Sequence, residues 1–113
     1  MAKLTSHTLN GADGSHASAI PVTLEHVISK KSIFSSRMDS GGRLSVDIDP
    51  KDLIAGDNYQ LIFNVSEYWK ERKIFNSEIL NEITVRFKVD DVFGSYHIPV
   101  ILSPNSYTVW KSS

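Results

Sequence analysis

The sequence predicts a mainly β protein, an antiparallel β-sandwich of about eight short strands with one short helix. Three observations lead there. Apolar and polar residues alternate over most of the chain, the period of a strand with one face on a core. Clusters of Gly, Asn, Asp and Pro break that alternation at intervals of about 8–12 residues, as sandwich turns do. And 113 residues, 41% hydrophobic and 22% charged, suit one domain, residues 1–113, around one core.

The elements follow in order. Residues 4–9 read as a first strand with His7 near its centre, closed by the loop Asn10-Gly-Ala-Asp-Gly-Ser15. In residues 20–28, Ile20, Val22, Leu24, His26 and Ile28 share one face. Residues 32–38 form a weaker strand around Ile33 and Phe34, ended by Asp39-Ser-Gly-Gly42. Leu44, Val46 and Ile48 then face inward while Arg43, Ser45 and Asp47 face away, and Asp49-Pro50 closes the strand. Tyr59, Leu61, Phe63 and Val65 make a long alternating strand. Ser66 is placed to cap a helix over residues 67–73, its hydroxyl accepting a free backbone N–H. Residues 76–81 carry no clear pattern. In residues 82–89, Ile83, Val85, Phe87 and Val89 give the cleanest strand. After the turn at residues 90–94, Tyr96, Ile98, Val100 and Leu102 point inward, with His97, Pro99, Ile101 and Ser103 opposite. Leu-Ser-Pro-Asn-Ser then turns the chain into a final strand at residues 107–110, so the sequence ends in a hairpin.

Composition narrows the function. A net charge of −1 gives no electrostatic case for nucleic acid or an anionic membrane surface. Cysteine is absent, so disulfides and thiolate chemistry are excluded. No run approaches the roughly 20 apolar residues of a membrane span. The opening Met-Ala-Lys-Leu-Thr-Ser-His has no apolar signal segment, and the reading is a cytoplasmic protein. The four histidines show no metal-ligand spacing, and neither a phosphate-binding Gly-rich loop nor a Gly-x-Ser-x-Gly elbow occurs. No metal or cofactor is expected.

His7 lies near the centre of its strand, and His97 sits off the main apolar stripe. A strand histidine is ordinarily a polar side chain bonded to a neighbour, and it is also the general acid or base of neutral pH. Pattern alone favours the first. His16 reads as a solvated loop residue and His26 as a satisfied core or interface histidine. Arg43 alone would be a solvated arginine.

A resemblance changes that order. Tyr96-His97-Ile98-Pro99, with Leu102-Ser103-Pro104, is similar to the Tyr-His-(Ile/Val)-Pro-Leu-Leu-Leu-Ser-Pro strand of the 5-hydroxyisourate hydrolases, the transthyretin-like enzymes of purine breakdown. Leu4-Thr5-Ser6-His7-Thr8-Leu9-Asn10 resembles their opening Leu-Thr-Thr-His-(Val/Ile)-Leu-Asp. Gly41-Gly42-Arg43 stands where they have Asp-Gly-Arg. The ending departs: Trp110-Lys111-Ser112-Ser113 replaces Tyr-Arg-Gly-Ser. The resemblance runs from Leu4 to Ser113.

It implies a transthyretin-like fold and a homotetramer, a dimer of dimers, with sites in a channel between dimers. It implies hydrolytic opening of 5-hydroxyisourate, with His7 and His97 in one acid–base network and Arg43 and Lys111 on the substrate and its developing oxyanion. Ser113 would position the water or a neighbour, and Trp110 would supply an aromatic wall. Lys111 keeps charge without the planar fork of arginine. Two alternatives stay open: a transthyretin-like binding protein with a remodelled channel and no turnover, and a β-sandwich interaction module with no site.

Overall fold

The computed structural model describes residues 1–73 and 80–112. Its strands are β1 (Ala2–Asn10), β2 (Pro21–His26), β3 (Ser32–Arg37), β4 (Arg43–Ile48), β5 (Asn58–Asn64), β6 (Glu82–Lys88), β7 (Ser95–His97), β8 (Val100–Ser103) and β9 (Ser106–Val109). One helix, α1 (Ser66–Glu71), and a 3-10 turn at Pro50–Asp52 complete the order. Two sheets face each other. One runs β3-β2-β5-β6; the other runs β4-β1-β8-β9, with β7 also paired to β1.

Alternation decides what lies between them. Leu4, Val22, Leu24, Tyr59, Leu61, Phe63, Val100 and Leu102 are all buried at the interface of the sheets. On β1 the inward positions turn polar towards its end, at Ser6, Thr8 and Asn10, and each is satisfied. Ser6 Oγ donates to the Ile98 carbonyl at 2.6 Å, Thr8 Oγ1 to the Ala17 carbonyl at 2.6 Å, and Asn10 Nδ2 to the Tyr68 hydroxyl at 3.0 Å. A buried polar group without such a partner costs about 1–3 kcal/mol.

Four local expectations are corrected. The stretch expected as one strand, residues 95–103, is two: β7 pairs with Lys3–Thr5 and β8 with Thr8–Asn10, both parallel to β1. The break falls at Ile98-Pro99, because proline cannot donate to the ladder. This sheet is therefore mixed, antiparallel at β1–β4 and β8–β9 and parallel along one flank of β1. Ile28 is 82% exposed rather than on the core face, since β2 ends at His26 and a turn follows. Ser66 does not cap α1. It is the first helical residue, Val65 occupies the cap without a side-chain bond, and the Ser66 hydroxyl bonds back to Asn64 Oδ1 at 3.0 Å. Last, β9 covers Ser106–Val109, leaving Trp110 outside the final strand. What holds the helix down is its buried pair Tyr68 and Trp69. Most of the patternless stretch expected at residues 76–81 lies outside the described residues. Among the described residues, no helix is long and apolar enough to cross a membrane.

Candidate active site

The outward positions of β1 are Lys3, Thr5, His7 and Leu9. Register fixes what stands beside them. Thr5 lies between Ser45 of β4 and His97 of β7, and His7 lies opposite Arg43. Directly opposed residues in a sheet point to the same side. Two adjacent rows, Ser45–Thr5–His97 and Arg43–His7, therefore share the outer face. A shallow recess of about 300 Å³ opens there, lined by Thr5, Asp39, Arg43, Ser45 and His97.

His97 is half-buried and held by Thr5, whose Oγ1 lies 2.8 Å from its Nδ1. That bond occupies Nδ1, so Nε2 is the nitrogen available to the recess. The His97 carbonyl accepts the N–H of Ser112 at 2.9 Å, which ties the returning chain to β7.

His7 has a different setting. Its Nε2 lies 2.9 Å from Nδ1 of His16, with the rings stacked at 5.0 Å, and the pair shares a proton between those atoms. Burial pushes the His7 imidazole below its ordinary value of 6.5, and the positive charges of Arg43, His16 and His97 push the same way. The backbone at Gly41 acts in the opposite direction but is outweighed. Loss of hydration and nearby cations both disfavour imidazolium. The balance favours the neutral imidazole.

Arg43 is presented by the turn before β4. Asp39 supplies the turn's carboxylate, its Oδ1 accepting the N–H groups of Gly41 and Arg43, each at 2.9 Å. An acidic residue two positions earlier thus serves a turn in which Gly41 carries no side chain. Gly42 is required: its φ is +71°, and a Cβ there would stand 2.6 Å from the Thr8 carbonyl oxygen.

Arg43 and His97 thus line one recess, and His7 stands opposite Arg43 in the next row, outside that lining. Trp110 and Lys111 are not with them in this chain. They line a separate recess of about 460 Å³ at the edge of the sandwich, with Phe87 and Tyr96. Ser113 lies outside the described residues. His16 is exposed, as expected, and is also the partner of His7, brought there by a bridge between Leu9 and His16. The signal for it was the Asn10 loop. Asn10 Oδ1 accepts the N–H groups of Ala12 and Asp13, and the Asn10 N–H donates to the Ser15 carbonyl, so the chain doubles back beside β1. Thr5 and Asp39 also escaped the sequence reading. Among the described residues no three His, Cys, Asp or Glu side chains gather as a metal site would need.

A sandwich that commits the outer face of one sheet to two imidazoles and a guanidinium is built to engage a small polar molecule. The HIUase/Transthyretin family model matches residues 4–112, and the chain belongs to that family. Its relatives include a 5-hydroxyisourate hydrolase of Deinococcus radiodurans, 29% identical over 97% of this chain and 95% of that protein. Another is the 5-hydroxyisourate hydrolase of Mus musculus, 28% identical over 97% of this chain and 94% of its own length. Among solved structures, 5-hydroxyisourate hydrolase from Klebsiella pneumoniae superposes with a TM-score of 0.82 over the full length of both chains at 15% identity. (S)-Allantoin synthase superposes at 0.85 and 24% identity over 99% of this chain, which spans 44% of that larger one. At those identities the two structures establish the fold alone.

Proposed function

We propose that this chain hydrolyses 5-hydroxyisourate, opening its six-membered ring to 2-oxo-4-hydroxy-4-carboxy-5-ureidoimidazoline. The observation that carries the reading is the adjacency of His7, Arg43 and His97 in two neighbouring rows of one sheet face. The shared name of its relatives supports the substrate.

The chemistry divides among the residues. Neutral His7, relayed to His16, takes a proton from water as it attacks a ring carbonyl. The C–N bond then breaks, and His97, oriented by Thr5, returns a proton to the leaving nitrogen. Arg43 faces the carbonyl oxygens, whose planar acceptors suit a guanidinium fork, and stabilises the oxyanion. Ser113, Trp110 and Lys111 are assigned to the site on the resemblance alone. The recess on one chain is shallow, and a homotetramer that stacks this face against a partner's would enclose it and exclude water.

A second reading has one observation in its favour. Trp110 and Lys111 line the edge recess instead of the histidine recess, as a binding protein with a remodelled ending could have it. Freshly generated 5-hydroxyisourate separates the two. Loss of its ultraviolet absorbance well above the spontaneous rate, abolished by His97→Ala, is the expected result; decay at the spontaneous rate with bound ligand would establish the binding reading.

A further inference from the structure

The other sheet carries a second constellation. His26, at the end of β2, is only 8% exposed. Its Nε2 lies 2.8 Å from Asp57 Oδ2 and its Nδ1 lies 2.7 Å from Ser29 Oγ. A carboxylate only accepts, so Nε2 carries the proton and Nδ1 is the bare acceptor. The Ser29 N–H approaches the same Nδ1 at 3.4 Å, consistent with that tautomer. The Ser29 hydroxyl therefore donates to an imidazole whose far nitrogen is held by a carboxylate, the arrangement that activates a serine. Lys30, with φ of 64°, turns the chain so that the Lys31 N–H donates to Ser29 Oγ at 3.2 Å. That contact favours negative charge on the oxygen.

Beside His26 and Ser29 lies a recess of about 200 Å³, walled by Ile33, Ile54 and Tyr59, with Lys31, Lys51 and Asp52 also lining it. The Tyr59 ring packs on His26 at 5.0 Å, and its hydroxyl accepts the Ile54 N–H at 2.8 Å, so that wall is fixed. Ser29 itself is exposed to solvent. The volume matches roughly seven waters at about 30 Å³ each, room for a short acyl chain.

We propose that Ser29, His26 and Asp57 form a second, nucleophilic site that hydrolyses small short-chain carboxylic esters. Ser29 Oγ attacks the ester carbonyl as its proton passes to His26 Nδ1. The carbon–alkoxide bond breaks and the alcohol leaves with that proton. Water then attacks the acyl-serine, giving one proton to Nδ1, from which it returns to Ser29 Oγ as the acid departs. Asp57 is a positioning residue, and the Lys31 N–H is the donor nearest the reacting oxygen.

The test uses the intact protein with 4-nitrophenyl acetate and, separately, a fluorophosphonate probe, followed by peptide mass spectrometry. The expected results are a phosphonyl group on Ser29 and ester hydrolysis reduced at least tenfold by Ser29→Ala, with ring opening of 5-hydroxyisourate unchanged. Asp57→Asn should slow labelling and Asp57→Glu restore part of it, which a purely structural role for the carboxylate at that turn would not produce. The fluorophosphonate experiment needs no variant. Wild-type protein left unlabelled at Ser29, or ester hydrolysis equal in wild type and Ser29→Ala, overturns the proposal, since the turnover would then come from surface lysines or the His7 site.

Discussion

Replacing Gly42 by alanine should damage stability and site together. The residue sits at φ +71°, and a Cβ would meet the Thr8 carbonyl oxygen at 2.6 Å and the Ala17 carbonyl oxygen at 2.9 Å. Left-handed backbone costs a side chain about 1–2 kcal/mol. Both obstacles are backbone atoms, so relief requires strand movement, an overpacking cost of about 1–3 kcal/mol. The sum, about 2–5 kcal/mol, corresponds to a Tm lowered by roughly 8–20 °C at about 4 °C per kcal/mol for a domain of this size. Gly14 provides the control, with φ +78° and nothing within 4 Å. Gly14→Ala should lose only the conformational part, roughly 4–8 °C. Function should diverge more sharply. The Gly42 carbonyl accepts the Thr8 N–H at 2.7 Å, so displacing it shifts Arg43 against His7. At a temperature where both variants are folded, ring opening should fall at least tenfold for Gly42→Ala and stay near wild type for Gly14→Ala, since a misplacement of about 1 Å can cost 100-fold. Equal melting temperatures for the two variants, by calorimetry, would refute the close-approach argument.

Other outcomes follow from the same geometry. His7→Ala and His97→Ala should each lower kcat/KM by about 100- to 10,000-fold with the fold intact by circular dichroism, and the double variant should be little worse than the worse single one. Near-wild-type turnover in either single variant would remove the acid–base assignment. Because the His7 imidazole titrates below 6.5, kcat/KM should hold through neutral pH and fall only at a pH under 6.5. The same depression makes the unfolded chain bind more protons there. The stability linked to His7 is thus fully present above 6.5 and lost as pH falls through the folded value, so His7→Gln should flatten denaturant midpoints across that window. Lys111→Arg combined with Ser112→Gly should raise ring opening by about tenfold if the ending reaches the substrate, through a restored planar fork; an unchanged rate would assign Lys111 to the edge recess. Light scattering at micromolar concentration should give the mass of four chains, and a monomer mass would weaken any enclosed channel.

The strands were legible because alternation and burial obey the same period. Tyr59, Leu61, Phe63 and Val65 read as one inward face and all four are buried. What was not legible depended on pairing. Pro99 is a local mark of a break, but that the two halves pair in parallel with β1 follows only once β1 is known to lie alongside. Ser66 has the residue type of a cap, but Asn64, two positions earlier, takes its hydroxyl. At the site, the outward orientation of His97 followed from alternation, whereas that of His7 was not readable because the inward positions beside it, Ser6 and Thr8, are polar. Their partners did not: His16 reaches His7 through a bridge, and Thr5 reaches His97 across 92 residues. Trp110 and Lys111 were drawn to the site by motif position, whereas their place in one chain is set by where β9 ends.

The pairing of β1 with β7 and β8 has a consequence for how this protein comes into being. One flank of β1 is covered by β4, some 40 residues later in the chain, but the other waits for residues 95–103. Closing so long a loop is entropically slow, and parallel pairing across it pays nothing until the last contacts form. During synthesis, at about 5–20 residues per second, β1 therefore spends several seconds as an exposed edge. Its outward Lys3 is a charge of the kind that discourages pairing with a neighbouring nascent chain. The imidazole of His97 arrives on the strand that seals this edge and meets its support, Thr5, already waiting on β1. A chain that has not yet closed its sheet consequently holds His7 opposite Arg43 but lacks the second imidazole.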